Sequence, residues 1–315
     1  MYYVGIDLGG TSIKAGLVDE NGHILQKATC PTLVERGARP VVDDMARLSL
    51  KVIEMGGASL EEVKAIGIGL PGILDPRTGR VPFCTNLFWR DVPVIEWMKE
   101  TVNKPIFIEN DATVAGLAES VAGVSAGIRN SVFLTLGTGV GGGIVLNGKI
   151  YSGSHGVGSE LGHMITVAGG DMCTCGNRGC WERYASATAL IRMGTEAALA
   201  NPKSLIMTSV NGDIDSITAR TVMDAAKAGD PDALKVFDEY VYNICTGLVG
   251  IINFIDPEMI VLGGGVSLAG DFLLNAVRNK LPEMVFYKTM PYAAVELATL
   301  GNDAGIIGAA MLGRD

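Results

Sequence analysis

Residues Tyr2–Thr29 read YYVGIDLGGTSIKAGLVDENGHILQKAT. Short apolar runs separated by glycine turns predict a strand at YYVGID, a turn at LGGTS, a returning strand at IKAGLVD, a loop at ENG and a third strand at HILQKAT. The pattern recurs after Asn130: SVFLTL is a strand, GTGVGG a turn, GIVL a strand, and Asn147-Gly148 a turn into KIYSG. Two copies of strand, Gly/Thr turn, strand, Asn-Gly turn and strand indicate a duplicated architecture.

Working outward, PVVDDMARLSLKVIEMGG has helical periodicity, VKAIGIGL and KPIFIE read as buried strands, and DATVAGLAESVAG as a small-residue helix. ERYASATALIRMGTEAALA and the segment from Pro231 to about Ile255 are helical. PEMIVLGGGV is a strand running into a glycine turn, and the tail NDAGIIGAAMLG is an apolar helix opened by a capping Asn or Asp. Strands alternating with helices place the chain in the α/β class. The expected division is a first domain at residues 1–111 and a second at 112–300. The last helix, about 301–315, crosses back onto the first domain, with a cleft between the two.

The 315 residues suffice for two domains, and 48% hydrophobic content supplies a sizeable core. A net charge of -9 with no Lys/Arg cluster argues against a nucleic-acid surface. The start MYYVGIDLGG has no basic segment followed by a cleavable apolar one, and YNICTGLVGIINFIDP is too short and mixed to span a bilayer. Six cysteines do not make a disulfide scaffold. A cytoplasmic protein without a membrane partner is expected.

The turns DLGGTS and LGTGVGG are either tight hairpins or phosphate cradles, in which glycine lets backbone N–H groups approach an anion and Thr adds a hydroxyl. No G-x-x-x-x-G-K-[ST] occurs, which removes a Walker loop. G-x-G-x-x-G spacing occurs at Gly67-Gly69-Gly72 and Gly137-Gly139-Gly142. The first runs into ILDPRTG, read as a turn, and the second into the strand GIVL, so neither opens the helix that dinucleotide binding needs. Gly263, Gly264 and Gly265 follow the strand MIVL, where an α/β sheet offers a crevice for a flat ring.

Asn110 and Asp111 fall where a buried strand gives way to a helix. An aspartate there remains ionised and is placed either to accept a hydroxyl proton or simply to cap the helix. Glu160 and His163, in GSELGH, and Glu182 add the convergent acceptors and donors that a polyhydroxy ligand requires. The stretch CTCGNRGCWE concentrates half of the cysteines between Cys173 and Cys180. With His163 these make a Cys3His set suited to tetrahedral zinc, with no ligand position left open, hence structural. The redox alternative lacks its C-x-x-C spacing. Such an ion clamps the loop bearing His163 to the turn before Glu182, and leaves the second imidazole nitrogen for a hydroxyl.

Taken together, DLGGTSIK, GLPG, TNLFW, IENDA, LGTGVGGG, GSELGH, CTCGNRGCWE and VLGGGV resemble the ROK family (repressors, open reading frames, sugar kinases) across nearly the whole chain, and within it the bacterial glucokinases. The resemblance implies an actin-like ATPase (ribonuclease H-like) fold of two domains with a duplicated core, closing over a hexose and ATP. It implies phosphorylation of the glucose 6-hydroxyl with Asp111 as catalytic base. Asn110, Asp111, Glu160, His163 and Glu182 bind the sugar, with Gly72 and Asn86 near it. Asp7 holds hydrated Mg2+; Gly9, Gly10, Thr11, Thr138 and Gly139 cradle the phosphates; Lys14 and Gly263–Gly265 lie close to the nucleotide. A homodimer is expected. Alternatives within the family are kinases for N-acetylmannosamine, fructose, mannose or allose, a polyphosphate donor, and sugar-sensing regulators. The regulators carry a helix-turn-helix arm, for which the seven residues up to Asp7 leave no room.

Overall fold

The computed structural model describes residues 1–314. Its strands are β1 (Tyr2–Leu8), β2 (Ser12–Asp19), β3 (Ile24–Pro31), β4 (Val63–Leu70), β5 (Ile73–Asp75), β6 (Arg80–Cys84), β7 (Trp89–Val92), β8 (Ile106–Asn110), β9 (Ser131–Leu136), β10 (Val140–Leu146), β11 (Lys149–Ile150), β12 (Met259–Gly263) and β13 (Ala294–Leu297). Two five-stranded sheets have matching orders, β3-β2-β1-β4-β8 and β11-β10-β9-β12-β13. In the first, β1 pairs antiparallel with β2 and parallel with β4, which pairs parallel with β8. In the second, β10 pairs antiparallel with β11 and β12 parallel with β13. The repeated hairpin pattern of the sequence is thus a repeated sheet.

The chain forms two compact units. The first holds residues Met1–Phe133, Gly143–Ser159 and the chain from Thr299 onward; the second holds Leu134–Gly142 and Glu160–Ala298. In the first unit both sheet faces are covered, which is why β1 and β4 read as continuous apolar runs rather than alternating ones. Val4, Ile6, Leu8, Ile13 and Leu17 share a core with Val41, Met45 and Val52 of the helix Ala38–Met55. Tyr3, Val18 and Ala65 share another with Ile306, Ile307 and Ala310 of the helix Ala304–Met311. A side chain at Gly5 or Gly67 would overlap the carbonyl oxygens of Ile306 and Ala309, so these two glycines let that helix lie directly on the strands.

This packing moves the boundary expected at residue 111. The helix Asp111–Ala122 belongs to the first unit, because Leu117 and Ala118 share the core of the C-terminal helix and a Cβ on Gly308 would overlap the Val114 carbonyl. Its Glu119 is fully buried, and its carboxylate accepts the backbone N–H groups of Val124, Thr299 and Leu300 at 2.9, 2.8 and 2.9 Å.

Four local readings also change. ILDPRTG is not only a turn: Ile73–Asp75 starts a three-stranded sheet with β6 and β7. ERYASATALIRMGTEAALA is two helices, Glu182–Ala185 and Ala187–Ala200, since extended Ser186 caps the second by accepting from the Ala189 N–H. KIYSG is strand only at Lys149 and Ile150, after which the Tyr151 N–H still donates to the Ile144 carbonyl at 2.8 Å. Asp303, expected as a cap for the C-terminal helix, makes no cap bond and is instead ion-paired with Lys27 at 2.8 Å.

In the second unit the long helix Pro231–Ile255 starts on Asp230, whose Oδ1 accepts from Asp232 and Ala233, and stops at left-handed Asp256 before Pro257. Trp181 is fully buried against Gly247 of this helix, and its indole N–H donates to the Asn243 carbonyl at 2.8 Å. One side chain therefore fixes the segment Cys180–Glu182 to the longest helix.

Candidate active site

In the first unit, Asp7 and Lys14 face each other across the β1–β2 ladder and pair at 3.0 Å. The turn between them exposes Gly10 and Thr11. It is closed by the Gly9 N–H to the Ser12 carbonyl at 3.0 Å, and pinned by buried Thr32, whose hydroxyl donates to the Gly9 carbonyl at 2.7 Å. A lone partly exposed carboxylate beside a turn free of bulky side chains suits Mg2+, which keeps most of its waters and takes one or two protein carboxylates. A Cβ on Gly10 would lie 3.8 Å from the Asn86 carbonyl oxygen, so Asn86 adjoins this turn as well as belonging to the TNLFW loop.

Asn110 ends β8 and caps the helix Asp111–Ala122, its side chain accepting from Ala112 at 2.9 Å. The two readings of the Asn-Asp pair thereby separate: Asn110 is the cap, and Asp111 is the first helical residue. Asp111 Oδ1 also accepts the Ala112 N–H, at 2.8 Å, which orients the carboxylate in the positive field of the helix start. Cys84 is buried in the same unit. Its thiol is pushed up, by burial first and also by the Asp111 carboxylate, while the Asn86 and Leu87 N–H groups lower it. Left-handed Gly72 packs on Cys84. Gly72, Cys84, Asn86 and Asp111 thus form one neighbourhood.

In the second unit, Thr138 and Gly139 lie on a turn tied to the start of the helix Ala187–Ala200. The Ala187 N–H donates to the Gly137 carbonyl at 2.7 Å and the Thr188 hydroxyl to the Thr138 carbonyl at 2.7 Å. A Cβ on Gly139 would stand 2.5 Å from Glu182 Oε2, so the turn and Glu182 are immediate neighbours. Gly263 ends β12, Gly264 is left-handed and lies on the Leu136 backbone, and Gly265 faces open space.

His163 Nδ1 lies 3.7 Å from Cys173 Sγ, and Cys175 Sγ lies 3.6 Å from Cys180 Sγ; the four ligand atoms fall within 4.8 Å of one another. Zn–S bonds of about 2.3 Å in a tetrahedron put ligand atoms about 3.8 Å apart, so these side chains fit a zinc ion with little movement. Burial pushes the Cys173 thiol up to about 12, which a cation at this point would reverse by favouring the thiolate. With Nδ1 turned to the sulfurs, His163 Nε2 faces Glu160 Oε2 at 4.0 Å. Glu182 Oε1 lies 3.0 Å from Cys173 Sγ and 3.9 Å from His163 Nδ1. The second unit therefore brings Glu160, His163, Glu182 and Gly139 together around the cysteine turn.

Sequence reasoning missed Thr32, Cys84, Thr188, Glu109 and Ser152. Only Glu109 left a signal, a charged residue inside the buried strand KPIFIEN.

The fold is that of the actin-like ATPases, with solved ROK kinases among its matches. The ROK family profile matches residues 3–315. The chain is 38% identical over 310 residues to the glucokinase of Thermotoga maritima, covering 98% of this chain and 96% of that one. It is 37% identical over 315 residues to the glucokinase of Halalkalibacterium halodurans, covering 99% and 94%. A ROK family glucokinase from Streptomyces griseus, solved in complex with glucose and AMPPNP, matches with a TM-score of 0.83 and 36% identity over 100% of this chain and 99% of that chain. The chain belongs to the ROK family.

Proposed function

We propose that the protein is an ATP-dependent glucokinase that phosphorylates the 6-hydroxyl of glucose. The observation that carries this reading is near full-length likeness to glucokinases, one of them solved with the sugar and a nucleotide analogue. The residues above support it. Asp111 accepts the hydroxyl proton, a role worth about 10²–10⁴-fold. Asn110 and Asp111 are the sugar-facing groups of the first unit, with Gly72 and Asn86 beside them; Glu160, His163 and Glu182 are those of the second. Gly9, Gly10, Thr11, Thr138 and Gly139 offer backbone and hydroxyl donors to the phosphates, with Lys14 and Gly263–Gly265 close to the nucleotide. Bound Mg2+, held by Asp7 through water, would neutralise phosphate charge. Most of the catalysis in such a transfer is positioning and charge stabilisation.

Zinc on His163, Cys173, Cys175 and Cys180 would be structural, holding His163 and Glu182 in fixed relation. A cytoplasmic homodimer accompanies the reading. An ATP-coupled assay over glucose, mannose, fructose, allose and N-acetylmannosamine tests it. Glucose is expected to have the highest kcat/KM. A preference above about tenfold for another of these sugars, or no transfer to any, overturns it.

A further inference from the structure

Glu109 is a carboxylate on a buried strand, 5% exposed, between apolar Ile108 and the pair Asn110–Asp111. Burial raises its pKa. A buried carboxylate is costly unless both oxygens are used, and here both are. Oε1 accepts the Asn110 N–H at 2.8 Å, and Oε2 accepts the Ser152 hydroxyl at 2.7 Å.

The two partners belong to different segments of the first unit. Asn110 caps the helix that Asp111 begins. Ser152 opens a loop whose neck is closed by the Gly158 N–H to the Ser152 carbonyl at 2.9 Å and by the Ser159 hydroxyl to the Tyr151 carbonyl at 2.8 Å. Gly153 and Gly158 meet backbone to backbone inside that neck. The chain leaves the loop directly into Glu160. A single side chain thus ties the backbone before the aspartate to the base of the loop that leads to the first acid of the second unit.

We propose that Glu109 is a positioning residue for phosphoryl transfer: its two oxygens hold the Asn110–Asp111 backbone and the neck of loop 152–158 in one register. Its consequence for turnover rests on the glucokinase reading above. Removing the Oε1 bond loosens the aspartate; removing the Oε2 bond loosens the loop. The two ends are therefore separable in kinetics.

The experiment compares Glu109→Ala, Glu109→Gln and Ser152→Ala with the wild type, by glucose kinetics and by hydrogen exchange in the absence of ligand. Glu109→Ala is expected to lower kcat by about 10²-fold, the scale of a 1 Å misplacement. Glu109→Gln, which can still accept from Asn110 and donate to the Ser152 hydroxyl, should recover most of it. Ser152→Ala should raise the glucose KM several-fold, with kcat within about twofold of wild type. Exchange at the Asn110 and Gly158 amides should rise in Glu109→Ala and return towards wild type in Glu109→Gln. Unchanged exchange in Glu109→Ala overturns the proposal, as does a Glu109→Gln enzyme as impaired as Glu109→Ala. Should the wild type fail to phosphorylate glucose while exchange responds as stated, the glucokinase reading falls and the tether stands.

Discussion

Glu119 Oε1 accepts the backbone N–H of Thr299 at 2.8 Å across 180 residues of sequence. The same carboxylate takes the N–H groups of Leu300 and Val124 and the Thr299 hydroxyl, with no exposure to solvent. Glu119→Ala takes the acceptor from these partly buried donors, some of which water can reach, and should cost about 1–3 kcal/mol. Urea unfolding measures it; a loss below about 1 kcal/mol would mean the donors find other partners.

Asp111→Asn keeps the shape and the Ala112 bond but removes the basic oxygen. Turnover should fall by about 10²–10⁴-fold while calorimetric glucose affinity changes little. A variant of near-normal turnover would remove Asp111 from the role of base.

Elemental analysis of the purified protein should find about one zinc per chain if the proposed Cys3His site is filled. Cys175→Ser opens the tetrahedron, and should lower the thermal midpoint and weaken glucose binding together, because His163 and Glu182 flank the same sulfurs. Loss of neither would leave the cysteine turn without a part in sugar binding.

Gly139→Ala introduces a Cβ 2.5 Å from Glu182 Oε2, the far end of a side chain that can swing away. Stability should change by less than about 1 kcal/mol. Glucose KM, in contrast, should rise, because the displaced group is a proposed sugar ligand. An unchanged KM, with a crystal structure showing Glu182 moved, would exclude Glu182 from the sugar.

Glu109 has a folded pKa above its ordinary value of 4.5 because burial penalises the carboxylate. Folding therefore favours the protonated form. The stability this provides is complete below pH 4.5 and is lost as pH rises through the folded value. Glu109→Gln removes that dependence, so its thermal midpoint should gain on the wild type as pH rises from about 4 to 7. Parallel curves over that range would show that Glu109 titrates as it does in the unfolded chain.

The hairpin copies around DLGGT and LGTGVGG were legible because alternating apolar runs and Asn-Gly turns are local signals, and the matching sheets follow from them. The cysteine turn was legible for the same reason: three ligands within eight residues leave few geometries open. The boundary near residue 111 was not. What assigns the helix Asp111–Ala122 to the first unit is its packing on a helix nearly two hundred residues later, which no local pattern encodes. Glu109 was visible as a charge in an apolar strand, but its partner Ser152 was hidden among the serines and glycines of an ordinary loop.

The helix Ala304–Met311 lies directly over Gly5 and Gly67. During synthesis, where domains generally fold as units, the opening strand of this chain gains the last part of its second-face cover only when residues 304–311 have been made. Until then Tyr3, Val18 and Ala65 have only Leu117 and Ala118 of the core they later share with Ile306, Ile307 and Ala310, so the nascent chain carries apolar surface that the finished fold hides.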